Sequence, residues 1–347
     1  LSTFYTDYLW YKEVGYTSVF WKRITTQIWL FFVFAAMFFA VFYGNIYLAR
    51  RLTPRYERPA GKLTPIEESL QNFRESAGRW LDRGMLAVSA FIAFVVGWAS
   101  AGQWENVLKY FNHASFGRAD PVFGKDLGFY MFEYPFLRYF TGWLFTTLIF
   151  TIIVSALVHF LYGAINFGDK KQRFAAHVKA HLSVLAGVLL LLQAWRFRLG
   201  MFGLLYSQRG PVTGATYTDV HAQIPAYWIL IATCFICAGL FILNIRYRGW
   251  KLPLAGLVGI VVVSLLAGSL YPFIVQTYVV RPKELARESE YIGRNIESTQ
   301  DAFRIQDEGE EAVVERRLFP AELDLTYEDI QANEATVSNI RLWDPRL

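Results

Sequence analysis

A chain of 347 residues that is 54% hydrophobic and 18% aromatic is too apolar for an ordinary water-soluble domain. Its net charge of +5 joins a basic stretch up to residue 280 to an acidic one beyond it, where 9 Lys and Arg meet 16 Asp and Glu. The basic residues sit in short segments between apolar runs, not on one polar face, which excludes nucleic acid as a partner and points to a membrane protein oriented by its charges.

About 20 apolar residues cross the hydrocarbon core of a bilayer as a helix. Six runs meet that need, at residues 27–49, 85–101, 139–164, 182–195, 226–245 and 254–280. The expected fold is therefore an all-α polytopic membrane protein with a transmembrane domain over residues 1–280. The fourth run is the shortest, and Arg196 and Arg198 are expected to end it and to snorkel toward the interface. Lys and Arg are retained on the cytoplasmic side. Segments 50–84, 165–181 and 246–253 carry 15 of them in 60 positions, against 10 in 93 for residues 1–26, 102–138 and 196–225. The denser set is expected to be cytoplasmic, which places both ends of the chain outside the cytoplasm of a bacterial cell membrane. An outward start without a signal peptide leads to the expectation of a further span upstream of Leu1.

The outward segments are rich in aromatic residues. Phe4, Tyr8, Trp10, Tyr11 and Phe20 crowd the first, and Pro121 to Phe136 form a second that reads as an interfacial or re-entrant cap. Gly210, Pro211, Gly214 and Pro225 predict a turn-rich third segment. After Val280, Arg281-Pro282 opens a charged helix expected to reach about Arg304, followed by an acidic linker, a strand over Val313 to Phe319 and a short helix over Tyr327 to Asn333. Residues 281–347 thus read as the truncated start of an α/β extracytoplasmic domain.

Ionisable residues near membrane depth usually face a partner or an aqueous cavity. His159 and Gln193 fall late in the third and fourth runs, and a packed, hydrogen-bonded role is favoured for both over a conduction path. The i, i+2 spacing sends Arg196 and Arg198 to different helix faces. Asp219-Val-His221 would place two ligands on one face of a strand, with Asp120 and Asp126 as further outer-face candidates, but no cluster at ligand spacing supports a metal site or cofactor. The alternative for Asp219 is a cap at a helix start before Pro225. Cys234 and Cys237, inside an apolar run, read as packing residues. The basic run Lys170 to Lys179 reads as positive-inside anchoring that can also hold anionic lipid.

No P-loop, nucleophile elbow, zinc-protease or dinucleotide signature is present, so no catalytic residue is assigned and a non-enzymatic role is favoured. The expected partners are the lipid bilayer and other envelope proteins, with oligomeric state left open. Three functions compete. The first is an anchor that positions an outer domain for binding or assembly. The second is a transporter or channel, and the third an envelope enzyme at the outer face using Asp219 and His221. Taken together, Asp7 to Tyr16, Val19 to Trp21, Pro121 to Tyr130, Tyr217 to Pro225, Val275-Gln276, Arg281-Pro282, Glu284-Leu285 and Asn339 to Arg346 resemble the uncharacterised protein family UPF0182. The resemblance implies a longer chain with about seven spans and a large extracytoplasmic domain, and it supplies no activity.

Overall fold

The computed structural model describes residues 2–52, 65–164, 175–247, 249, 251–303, 326–334 and 338. The chain divides into two compact units, Leu1–Tyr291 and Ile292–Leu347. The first is a helical bundle. In chain order its helices are α1 (Ser2–Glu13), α2 (Thr17–Leu52), α3 (Pro65–Ala101), α4 (Trp104–Phe111), α5 (Tyr134–Leu161), α6 (Ala176–Phe202), α7 (Ile224–Tyr247), α8 (Lys251–Val263) and α9 (Tyr271–Ile274). The next helix, α10 (Glu284–Phe303), begins in the first unit.

Among the described residues six helical runs are long and apolar enough to cross a membrane: Thr17–Leu52, Trp80–Ala101, Phe129–Leu161, Ala176–Tyr206, Asp219–Tyr247 and Lys251–Phe303. They take in the six apolar runs of the sequence, except for residues 162–164 at the end of the third, and otherwise extend beyond them, because polar residues at a helix end continue the backbone ladder without having to lie in lipid. The helix itself does not stop where the fourth apolar run does, at Arg196 and Arg198. They lie inside α6, which runs on to Phe202.

The packing follows a four-residue repeat on α2. Leu30, Phe34, Phe38, Phe42 and Ile46 are all buried and recur every fourth position, which keeps them on one slowly drifting face. That face meets α3 and α5, where Ala93, Val158 and Trp143 complete its core. At Gly97 the two helices touch so closely that a Cβ would stand 2.6 Å from the Phe31 carbonyl oxygen and 2.8 Å from the Ala35 Cβ. Small residues at membrane helix contacts allow this approach. Polar pairs pin other contacts: Tyr139 Oη donates to Ser100 Oγ at 3.0 Å, and Asn244 Nδ2 donates to Ser183 Oγ at 3.1 Å. Cys234 and Cys237 are buried free thiols, and Cys237 Sγ donates to the Gly256 carbonyl on α8 at 3.2 Å.

The bundle has a basic end, carrying Arg50, Arg51, Lys179, Arg246 and Lys251, and a loop-rich end. At the loop-rich end α1 folds back through Gly15 (φ +78°) so that Phe4, Tyr8 and Tyr11 pack on the buried Phe20 ring. Tyr5, Trp10, Tyr16 and Trp21 remain exposed, a composition suited to the headgroup layer.

Among the described residues of the second unit, Thr326 and Asp329 form a reciprocal capping box that starts α11 (Tyr327–Ala332). The α/β character expected for residues 281–347 is not supported. The described residues there are helical, and Val313 to Phe319 and the acidic linker lie outside them. Among all described residues the only extended pairing is an isolated antiparallel bridge between Ala119 and Asp126.

Candidate functional site

A dense buried polar cluster, with Thr216, Thr218, Asp219, Gln223 and Glu288, lies where α7 begins at the loop-rich end. A helical run starts at Tyr217 and passes through a wide turn, Asp219–Gln223, into α7. Thr216 caps it. The Asp219 Oδ2 accepts the Thr216 N–H at 3.2 Å and the Thr216 hydroxyl at 3.0 Å, while Thr216 Oγ1 accepts the Asp219 N–H at 3.3 Å. Such a box satisfies donors that a helix start leaves orphaned. The other carboxylate oxygen of this fully buried Asp219 stands 3.1 Å from Arg209 Nη1, close enough for an ion pair but not aligned as a hydrogen bond. Arg209 also donates from Nη2 to Gln223 Oε1 at 3.4 Å.

A second carboxylate enters from α10. Glu288 is 1% exposed, and its two oxygens lie 3.3 and 3.2 Å from the Tyr217 N–H, the first amide of the helix. A negative charge there also meets the positive end of the helix dipole. Thr218 Oγ1 donates to Gln276 Oε1 from the run before α10. Outside this core, Tyr217 stacks on His221 with ring centroids 4.1 Å apart, and the Arg287 guanidinium covers Tyr217 at 5.1 Å. Tyr291 Oη lies 3.5 Å from His221 Nδ1. Glycine at position 210 keeps this loop close, since a Cβ would stand 2.7 Å from Thr216 Cγ2.

The chemistry of the cluster is that of a lock. Asp219 is occupied by the cap and Arg209, and Glu288 by a helix amide. The strand reading of Asp219-Val-His221 is overturned: the segment is helical, so Asp219 is buried in the cluster while His221 stays exposed, stacked on Tyr217. The cap reading holds in a modified form, with Thr216 as the cap residue and Asp219 as its partner three positions on.

Asp120 and Asp126 organise the loop before α5. Asp120 is 3% exposed and accepts the N–H groups of Val122 (2.9 Å), Phe123 (2.6 Å) and Lys125 (2.9 Å) together with the Tyr130 hydroxyl at 2.8 Å. Asp126 accepts Ser115 Oγ at 2.6 Å and the N–H groups of Phe116, Gly117 and Gly128. These donors, led by Ser115, hold the Asp126 carboxyl at about 2, below its ordinary 3.8. Gly117 and Gly124, at φ +69° and +64°, supply the turns between them. Across the Pro121 to Tyr130 motif, Asp120 and Asp126 thus hold the backbone of their own loop.

The remaining sequence candidates lie within the bundle and apart from the lock. His159 is fully buried, and its Nε2 stands 3.0 Å from His181 Nδ1. His181 Nε2 in turn stands 3.1 Å from Asn45 Oδ1, so a hydrogen-bonded chain crosses α5, α6 and α2. His177 lies beside it, 5.9 Å between ring centroids. Among the described residues no group of three His, Cys, Asp or Glu is arranged to hold a metal ion. Gln193 Oε1 accepts Arg196 Nη1 at 3.0 Å, and Arg196 lies 4.1 Å over the Phe145 ring of α5. Arg198 turns instead toward Phe202 and Trp228. Sequence reasoning missed His181, Asn45, Arg209 and Glu288. His177 and His181, four apart on one helix, were a readable signal; Glu288 had none, being one of several acids in a charged helix.

The uncharacterised protein family UPF0182 matches residues 1–347. A UPF0182 protein of Frankia casuarinae is 40% identical over 98% of this chain and 32% of its own length, and one of Frankia alni is 40% identical with the same two coverages. A UPF0182 protein of Thermobifida fusca is 36% identical over 99% of this chain and 33% of its own length. The chain thus spans about a third of the length of these curated relatives. No solved structure matches it. With a family match from end to end and an apolar helical bundle to go with it, the chain belongs to the uncharacterised protein family UPF0182.

Proposed function

We propose that this chain is the membrane base of a longer bacterial envelope protein, with its loop-rich end facing outward, and that it positions an outer region for binding or assembly with envelope partners. The observation that carries this reading is Glu288. A buried carboxylate from the first turns of α10 holds the first amide of the helix leading into α7, so the segment leaving the last span starts from a fixed point. A chain that only needed a tether would have no use for a buried, charged contact there. The excess of Lys and Arg at the other end supports the orientation. The test is photocrosslinking in cells with the full-length protein and with a form ending at residue 303. Envelope partners captured only by the full-length form support the reading, and the same partners captured by both forms refute it.

A transporter reading has one specific observation behind it, the His159–His181–Asn45 chain across three helices. Polar chains of this kind serve proton relays in membrane transporters. Proton flux in proteoliposomes that collapses in His181→Ala would favour it; flux that is absent in the wild type, or unchanged by that substitution, would remove it.

A further inference from the structure

Between α2, α3, α5 and α6 runs a groove of about 1260 Å³. Most of its wall is apolar, from Phe42 on α2 and Ile92 and Val96 on α3 to Phe150 and Val154 on α5. Toward the loop-rich end the lining becomes cationic and phenolic, with Arg138, Arg196 and Tyr206. Along α5 the lining extends from Arg138 to Val154, about 24 Å at a rise of about 1.5 Å per residue. One leaflet of the hydrocarbon core is about 15 Å deep. The space therefore has one charged end and an apolar length that exceeds a leaflet.

The two arginines say what fills it. Among the described residues neither Arg138 nor Arg196 forms an ion pair with a carboxylate. Arg196 is half-buried, and both partners it does have, Gln193 Oε1 and the Phe145 ring, are neutral. A guanidinium at this depth is costly without an anion, and phosphate oxygens accept its forked donors in a matching geometry. Midway along the groove Gly142 lines the wall, and a Cβ built there meets nothing within 4 Å. The groove is open at that level because this residue has no side chain.

We propose that this groove is a binding site for an anionic phospholipid, with one acyl chain lying along α5 past Gly142 and the phosphate held by Arg138 and Arg196. Either orientation of the bundle leaves the groove intact and decides only which leaflet supplies the lipid.

The test is native mass spectrometry of the full-length protein in detergent, offered equal amounts of phosphatidylglycerol and phosphatidylcholine with identical chains. One phosphatidylglycerol should be retained in preference by about tenfold or more, the discrimination expected of charge-assisted contacts. The double variant Arg138→Gln/Arg196→Gln should lose that preference. Gly142→Leu should lose both lipids while its thermal unfolding stays at or above that of the wild type, since the added side chain enters empty space in a helix. Inorganic phosphate should not displace the lipid. Equal retention of the two lipids by the wild type, or unchanged retention in Gly142→Leu, would overturn the proposal. So would displacement by phosphate alone, or a crosslink from Thr146→Cys showing that another segment of the full chain or a second copy fills the groove.

Discussion

Replacing Glu288 by Ala tests the lock directly. In the wild type the Tyr217 N–H, which has no partner within its own helix, meets both oxygens of Glu288, a residue only 1% exposed, at 3.3 and 3.2 Å. Truncation removes the acceptor and leaves the amide without a partner in a buried place, at a cost of about 1–3 kcal/mol. The loss is local, so it should appear as faster hydrogen exchange at Tyr217 and its neighbours by roughly 5- to 150-fold. Exchange in the middle of α7 should be unaffected. Glu288→Gln keeps an acceptor oxygen and loses only the charge, so it should fall between wild type and Ala. The assay is hydrogen–deuterium exchange by mass spectrometry on the purified protein in nanodiscs. Identical exchange at Tyr217 in Glu288→Ala and wild type would refute the reasoning, because the carboxylate would then not be supporting the helix start.

Four further outcomes follow from single positions. Gly97→Ala should destabilise the bundle by about 1–3 kcal/mol in thermal unfolding, because the new Cβ strikes the Phe31 backbone and forces α2 and α3 apart; Gly142→Ala, in open space, should be neutral or stabilising by about 0.5–1 kcal/mol. Tyr130→Phe removes a 2.8 Å hydrogen bond to the buried Asp120 and should cost about 1.5–3 kcal/mol, read as earlier unfolding of the loop before α5. Asp126 has a folded value of about 2, lowered from 3.8, so the order it gives the Ser115–Gly128 loop is complete above the unfolded value and is lost as pH falls from 3.8 through about 2. Amide exchange in that loop, corrected for intrinsic rates, should be constant between neutral pH and about 5 and should rise only on acidification below the unfolded value; in Asp126→Ala the loop should be loose at every pH.

The long apolar helices were legible because lipid imposes one requirement on any helix that is to cross it. Each must be apolar for about 20 residues and satisfy its own backbone. The six runs therefore stood out, while their ends did not. Residues such as Arg196 and His181 are penalised in an apolar window but lie comfortably within α6, where they meet Gln193, Phe145, His159 and Asn45. The polar sites were legible in type and not in role. Asp120, Asp126 and Asp219 could be named as outer-face carboxylates, yet whether each binds a ligand or its own backbone depends on turn geometry that only the folded chain reveals. Asp219-Val-His221 reads equally as alternating strand residues or as a helix start, and the Thr216 cap three residues earlier decides it. The Glu288 contact with Tyr217 joins positions 71 apart in sequence, which no local pattern encodes.

An outward loop-rich end is what makes the Glu288 lock a base for an outer region, so the direction in which the bundle faces decides the proposed function. Single cysteines at Phe116, Thr213 and Ser298, with Ser76 as the inward control, can be introduced into protein lacking Cys234 and Cys237 and exposed in intact cells to an impermeant thiol reagent. Labelling of the first three and not of Ser76→Cys is the predicted result; labelling of Ser76→Cys alone would invert the bundle and contradict the proposed function.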